Sequence, residues 1–236
     1  VLQSDTDVTE HDTGAFGSTG TVVAGRAVHE AATSLLGSLR AAAAAQTSTR
    51  PDGWVPERLG LRRGPTLLTF ADLVGPAGEL TAEGRCDGAV RSLAFNVQGF
   101  RVAVDTATGE VVILQSVQAA DAGFVMNPQQ CRGQVEGGVV QAIGTALFEE
   151  MILSDGRVTT SVLRNYHIPQ MADVPDTEVY FADTADELGP YGAKSMSESP
   201  YNPVAPALAN AVTDAIGVRP HELPMSRDRL WRLLNS

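Results

Sequence analysis

One segment of this sequence combines a helical pattern with residues that disfavour helices. Residues 126–151 read MNPQQCRGQVEGGVVQAIGTALFEEM, and their apolar residues recur at the three- and four-residue steps of one helix face. Four glycines lie inside that stretch: Gly133, Gly137, Gly138 and Gly144. Each interior glycine costs about 1 kcal/mol of helix stability. These glycines therefore indicate either that another segment packs closely against the helix or that a ligand approaches it there.

The rest of the chain predicts helices and strands in no regular alternation. Helices are predicted over four ranges: 22–46, 66–74, 202–217 and 226–234. Strands are predicted over three: 92–105, 110–123 and 178–183, the first two joined as a hairpin. Residues 47–64 are rich in Pro, Gly and Arg and are interpreted as a connection. The mixture indicates an α+β fold, with mixed sheets and packed helices, rather than a repeated βαβ series.

Charge and composition argue against several classes of partner. The net charge is −11, and phosphate backbones require clustered Lys and Arg, so no nucleic-acid partner is expected. No run of about 18 apolar residues predicts a membrane span. No signal peptide is visible, so a cytoplasmic location is expected. The chain does not begin with Met, so either a portion of a longer polypeptide or a processed chain is expected.

Standard catalytic motifs are absent from the sequence. There is no dinucleotide fingerprint, P-loop or nucleophile elbow. The four histidines lack metal-ligand spacing, and Cys86 and Cys131 are interpreted as small hydrophobes of the core. Candidate chemistry therefore lies in three segments that are rich in glycine or other small residues.

Each of the three segments has a functional and a structural interpretation. Residues 14–20 could bind an anion through backbone N–H groups, or could be a loop with a helix N-cap. In residues 133–138, Gln134 offers a hydrogen-bond donor and an acceptor, and its small neighbours would let a ligand come close. The structural alternative is that the glycines of this segment let one helix pack closely on another. Residues 192–200 carry Glu198, a possible general base, with Lys194 four residues earlier. The alternative for Glu198 is a solvated loop acid.

The order of these segments resembles the C-terminal part of the molybdenum-binding large subunit of the xanthine dehydrogenase/aldehyde oxidase family. The resemblance is carried by five segments: DTD…TGAFGS, DTATGEV, ADAGFVMNPQQCRGQVEGGVVQAIGTALFEE, YHIPQMADVPD and GAKSMSESPYNPVAPALANAVTDAIG. It extends from about residue 5 to residue 234, and the NPQ…GQVEGG stretch is its most specific part. The fold it implies is that of the C-terminal portion of a molybdopterin-binding catalytic domain over residues 1–236, in one lobe or two.

The resemblance also implies roles for individual residues. Glu198 matches the catalytic glutamate of the family. Six residues match cofactor-binding positions: Gly17, Ser18, Gly20, Gln134, Lys194 and Ser197. Two positions depart from the family pattern, since Ser197 stands where Gly is common and Ser18-Thr19 where Ser-Arg is frequent. No residue of this chain is expected to bind the metal directly.

The activity implied is hydroxylation of a purine or another N-heterocycle, with water as oxygen source and Glu198 as general base. Alternatives are an aldehyde or carbon monoxide type of oxidoreductase, or a non-catalytic portion that only completes a cofactor site. The implied cofactor is molybdenum with molybdopterin, as the simple pterin or a dinucleotide. Two cysteines cannot ligate two [2Fe–2S] clusters. Partners are therefore expected: the N-terminal part of the large subunit, iron–sulfur and FAD-binding subunits, a small-molecule substrate and a higher oligomer.

Overall fold

The computed structural model describes residues 5–8, 11, 14–88 and 91–236. They form two compact units. The larger unit comprises the described residues up to 18 together with 92–187 and 191–236. The smaller unit comprises those of 19–91 together with 188–190. Helices and separate sheets occur in both, which confirms the predicted α+β class.

The smaller unit is built on one long helix and a small sheet. A π-helix, Gly20–Ala24, continues directly into α1, Gly25–Thr47, which confirms the helix predicted over 22–46. Three antiparallel strands follow: β1, Val55–Glu57; β2, Gly60–Arg63; and β3, Thr66–Thr69. Helix α2 spans Phe70–Ala77. The core of the unit consists of Leu39, Ala43, Trp54, Leu61 and Leu73.

Two predictions for this unit were wrong. Residues 47–64 are not only a connection, because β1 and β2 lie within them and pair antiparallel. The helix predicted over 66–74 begins instead at Phe70, where Thr69 and Asp72 form a reciprocal capping box. It also extends beyond Pro76. Pro76 has no N–H for the Asp72 carbonyl, and that carbonyl instead accepts a hydrogen bond of 2.8 Å from the Gln46 side chain.

The larger unit contains a three-stranded sheet and the glycine-rich helix. Strands β4, Asn96–Asp105, and β5, Glu110–Ala120, form the predicted hairpin. The glycine-rich segment forms α3, Pro128–Leu147. A two-stranded ribbon, β6, Leu153–Ser154, with β7, Arg157–Val158, and the short helix α4, Leu163–Tyr166, come next. Strand β8, Thr177–Phe181, then pairs parallel to β5, so the sheet order is β4-β5-β8.

The C-terminal part of this unit completes the core. A 3₁₀ turn at Pro190–Gly192, whose first residue is assigned to the smaller unit, precedes the loop that carries Glu198. Helix α5, Val204–Ile216, packs against β4 and α3 and ends at Gly217 in the left-handed region. Helix α6, Arg227–Leu234, begins at Ser226, whose hydroxyl accepts from the Arg229 N–H as predicted. The helical stripe of α3 is buried at every predicted position: Val135, Val139, Ile143, Ala146 and Leu147.

Candidate functional site

Two of the predicted segments, 180 residues apart in sequence, meet at Ser18 and Glu198. The Ser18 hydroxyl donates to Oε2 of Glu198 at 3.1 Å. The same hydroxyl oxygen accepts the backbone N–H of Glu198 at 2.9 Å. The side chain of Ser18 therefore binds both the carboxylate and the main chain of Glu198. A hydroxyl–carboxylate bond of this kind is charge-assisted and orients the carboxylate.

The backbone around Ser18 adopts an unusual conformation that delivers its hydroxyl to Glu198. Gly17 and Ser18 are both left-handed, with φ of 58° and 59°. This conformation costs a non-glycine residue about 1–2 kcal/mol. The two hydrogen bonds to Glu198 are the interactions that offset this cost. Residues 14–18 form a loop before a helix, as the structural interpretation had it, but Thr19 at the helix start makes no side-chain capping bond.

The loop that carries Glu198 is fixed to the turn after strand β5. Gly123 and Ala193 form an isolated antiparallel bridge. The Lys194 N–H donates to the Ala122 carbonyl at 2.8 Å, and the Phe124 N–H donates to the Gly192 carbonyl at 2.9 Å. Gly123 has a φ of 59°, and a Cβ there would lie 2.2 Å from the Gly192 carbonyl oxygen. Only glycine allows so close an approach.

The ammonium group of Lys194 forms a largely buried ion pair with Asp121. Its Nζ lies 2.7 Å from Asp121 Oδ2, and both side chains are 11% exposed. The Thr184 hydroxyl donates to the other carboxylate oxygen of Asp121. Burial acts to raise the pKa of Asp121, but the hydrogen bonds from Lys194 and Thr184 outweigh it, so this pKa is lowered. The proposed contact of Lys194 with a cofactor stays a prediction.

Helix α3 presents an exposed face that includes Gln134. A Cβ added at Gly133 or Gly137 would meet no atom of the described residues within 4 Å. Gly138, one turn beyond Gln134, is buried, and a Cβ there would lie 3.1 Å from Pro200 Cβ in the Glu198 loop. Helix packing thus accounts for Gly138 but leaves Gly133 and Gly137 without a packing reason within the described residues.

The remaining predicted site residues lie in two loops of the larger unit and at the start of the π-helix of the smaller unit. Gly17 lies beside Ser18, and Ser197 precedes Glu198; both are exposed in this chain. Gly20 begins the π-helix and belongs to the smaller unit. In the larger unit the structure thus brings the loop of Gly17 and Ser18 together with that of Ser197 and Glu198, and α3 packs against the latter through Gly138.

The donor set and the open helix face are compatible with a bound polar cofactor. Gly133 and Gly137 leave open the space that side chains would fill, and this space adjoins the exposed amide of Gln134. Gln134 supplies both a donor and an acceptor, and Ser18 supplies a hydroxyl next to the carboxylate. Gly17, Ser18, Gln134 and Ser197 are therefore four residues of the larger unit that could hold the group, and Lys194 stays a further one by prediction alone.

Sequence reasoning missed the residues that support the Glu198 loop. Asp121 was assigned to the end of a strand, although it directly follows β5 and pairs with Lys194. Gln118, buried on β5, donates from Nε2 to the Pro200 carbonyl at 2.8 Å. Gln118 and Asp121 are polar residues in an otherwise apolar segment at the end of β5. Their polarity was the sequence signal that could have identified them.

Other features of the described residues contribute no chemistry to this site. A cavity of about 490 Å³ beside Glu110, His167 and Arg227 contains none of the predicted site residues. Burial raises the pKa of the Cys131 thiol, which disfavours a nucleophilic thiolate. Among residues 5–8, 11, 14–88 and 91–236, no three His, Cys, Asp or Glu side chains converge as metal ligands. No helix in these ranges has the length and apolarity required to cross a bilayer.

Comparisons with known proteins identify the family of this chain. Residues 1–175 match the model of a molybdopterin cofactor-binding domain. The chain is 36% identical over 246 aligned positions to the xanthine dehydrogenase molybdenum-binding subunit of Escherichia coli O157:H7, covering 98% of this chain and 32% of that protein. It is 34% identical over 161 positions to the aldehyde oxidoreductase molybdenum-binding subunit PaoC of Escherichia coli K12, covering 65% and 22%.

A solved structure supports the same relationship. Quinoline 2-oxidoreductase from Pseudomonas putida 86 superposes with a TM-score of 0.85 at 27% identity, over 96% of this chain and 31% of that one. The chain thus spans about a third of the length of the relatives that it matches over nearly its whole extent.

Proposed function

Because the chain belongs to the molybdopterin cofactor-binding domain family of xanthine dehydrogenases and aldehyde oxidases, we propose that it supplies the general base and part of the cofactor site of a molybdenum hydroxylase. The base is Glu198. The observation that carries this proposal is the pair of hydrogen bonds between Ser18 and Glu198, which joins the two segments assigned to cofactor and catalysis.

The proposed reaction replaces a C–H bond of the substrate by C–OH. Water supplies the oxygen, and two electrons and two protons leave. The molybdenum pterin, when bound, supplies the electron acceptor for this oxidation. Glu198 takes a proton from the water-derived oxygen. Because Ser18 holds Oε2, Oε1 is the carboxylate oxygen that accepts the proton.

The cofactor would lie along the open face of α3. Gln134 would bind it through the side-chain amide, and Gly133 and Gly137 would let it approach the helix backbone. Gly17 and Ser18 would contact its pterin and phosphate portions, and Ser197 would face it from the Glu198 loop. A pterin dinucleotide and a simple pterin are both compatible with this set.

An N-heterocycle is the proposed substrate class, and an aldehyde is the second candidate. The first is favoured by likeness to a xanthine dehydrogenase subunit and to quinoline 2-oxidoreductase, each over nearly the whole chain. The second is favoured by the likeness to PaoC, which covers 65% of the chain. Iron–sulfur and FAD-binding partners would carry the electrons onward, in a cytoplasmic assembly.

The proposal is tested with the full-length protein and its partner subunits. Xanthine, hypoxanthine, quinoline, benzaldehyde and carbon monoxide are each supplied with an artificial electron acceptor in ¹⁸O-labelled water. Turnover of one N-heterocycle, with ¹⁸O in the product, is the expected result. Turnover of benzaldehyde alone would select the second candidate.

The matched controls are two Glu→Gln variants. Glu198→Gln removes the proposed base, whereas Glu187→Gln changes an exposed carboxylate eleven residues earlier. Loss of turnover in the first, with molybdenum content and Glu187→Gln activity unchanged, supports the assignment. No turnover of any substrate by a molybdenum-loaded wild-type assembly would favour the non-catalytic alternative.

A further inference from the structure

We propose that Asp121 is a positioning residue for Glu198, acting through its ion pair with Lys194. This inference rests on the proposed function, since it concerns how the base is held. It starts from the observation that the loop of residues 192–200 is anchored on both sides of Glu198 by the end of strand β5.

The first anchor is the contact between Asp121 and Lys194. Asp121 uses both carboxylate oxygens, one for the Lys194 ammonium at 2.7 Å and one for the Thr184 hydroxyl. The Asp121 and Lys194 side chains are 89% removed from solvent, because each is 11% exposed. A carboxylate engaged at both oxygens has one orientation. Lys194, four residues before Glu198, therefore has a fixed location.

The second anchor lies on the other side of Glu198. The Gln118 side chain donates to the Pro200 carbonyl at 2.8 Å, and both residues are buried. Met196, between Lys194 and Glu198, is buried in the core of the unit. Because Gln118 and Asp121 lie three residues apart at one strand end, β5 sets the spacing of the two anchors.

The stability of the fold does not by itself explain a charged pair at this place. Apolar side chains of similar volume are often at least as stabilising as a buried ion pair. An ion pair differs from such apolar contacts because it fixes the distance between the two side chains and their relative orientation. General-base catalysis depends on such precision, because a displacement of about 1 Å can cost about 100-fold in rate. Asp121 is thus expected to influence the catalytic step more than substrate binding.

The test compares Asp121→Asn with the wild type in the full-length holoenzyme. The expected kcat per bound molybdenum is about 10–100-fold lower, with KM within about twofold. Hydrogen–deuterium exchange of the peptide covering residues 192–200 is expected to accelerate about tenfold, as local opening becomes easier, while the peptide of α6 is unchanged. Glu150→Gln, which breaks the more exposed ion pair with Arg229, is the control and changes neither quantity.

A double variant separates positioning from a purely structural role. In a Glu198→Gln background, Asp121→Asn should lower kcat by less than about twofold, because both residues act on the same step. Should Asp121→Asn fail to fold, Thr184→Val removes one hydrogen bond to Asp121 and should give the same exchange pattern with a smaller loss of kcat.

Two results would overturn the inference. One is an Asp121→Asn enzyme with wild-type kcat per molybdenum; the other is unchanged exchange at residues 192–200. If instead Glu198→Gln alone keeps wild-type kcat, the proposed base is wrong, and the exchange measurement still decides whether Asp121 fixes the loop.

Discussion

Gly137→Ala tests whether the open face of α3 exists for a ligand. A Cβ at this position meets nothing within 4 Å among the described residues. The substitution therefore adds only helix propensity, which favours the folded state by about 1 kcal/mol. For a domain of this size, such a gain raises Tm by about 2–4 °C. In the cofactor-free full-length protein, whose relatives are about three times as long as this chain, a rise of the same sign and of smaller size is expected.

The same methyl group is expected to obstruct the cofactor. It would occupy the space beside Gln134, and overpacking of one methyl group against a close-fitting partner costs about 1–3 kcal/mol. The dissociation constant of the cofactor should therefore rise at least about fivefold, and molybdenum occupancy should fall accordingly. Elemental analysis and pterin release measure occupancy, and calorimetry measures Tm.

Gly37→Ala is the matched control for this prediction. Gly37 is an exposed interior position of α1 where a Cβ also meets nothing within 4 Å. It should raise Tm by the same amount with full molybdenum occupancy. A Gly137→Ala protein that is stabilised and fully loaded would refute the assignment of this face to the cofactor.

Three further predictions concern the loop and its partner segment. Ser18→Ala removes a hydrogen bond to a carboxylate, so kcat per molybdenum should fall about tenfold in steady-state assays, with Ser34→Ala, at an exposed position of α1, as the control. Gly123→Ala should lower the free energy of unfolding by about 2–5 kcal/mol in denaturant titrations, because its φ is left-handed and its Cβ would meet a carbonyl. The pKa of Asp121 is lowered by folding, so its stabilising contribution is present above about pH 4 and is lost as the pH falls through the native value. Thermal unfolding of Asp121→Asn should accordingly vary less with pH below about 4 than that of the wild type, and an equal dependence would contradict the ion pair.

The larger unit was predictable because its signals are local and strong. The hairpin of β4 and β5, the buried stripe of α3, the Gly217 stop and the Ser226 cap each depend on a few neighbouring residues. The smaller unit was less predictable. The short strands β1 and β2 depend on pairing with each other and with β3, and the start of α2 depends on a capping box between Thr69 and Asp72.

The candidate site was predictable in its parts but not in its contacts. A composition rich in glycine or other small residues identified the segments of Ser18, Gln134 and Glu198. It could not reveal that the Ser18 side chain binds Glu198, because that contact depends on the left-handed backbone at Ser18 and on tertiary structure. Lys194 was recognised as notable, but its partner Asp121 lies 73 residues away, and the polarity of Asp121 alone does not identify Lys194 as its partner.

The most direct test of the account is the rate of substrate oxidation in a single turnover of the molybdenum-loaded enzyme, with Glu198→Gln compared against the wild type and against Glu187→Gln. General-base catalysis contributes about 10²–10⁴-fold. We therefore expect the Glu198→Gln rate to fall by at least about 100-fold at unchanged molybdenum content, and the Glu187→Gln rate to stay at the wild-type value. A Glu198→Gln enzyme that oxidises substrate at the wild-type rate would contradict the assignment of Glu198 as the base.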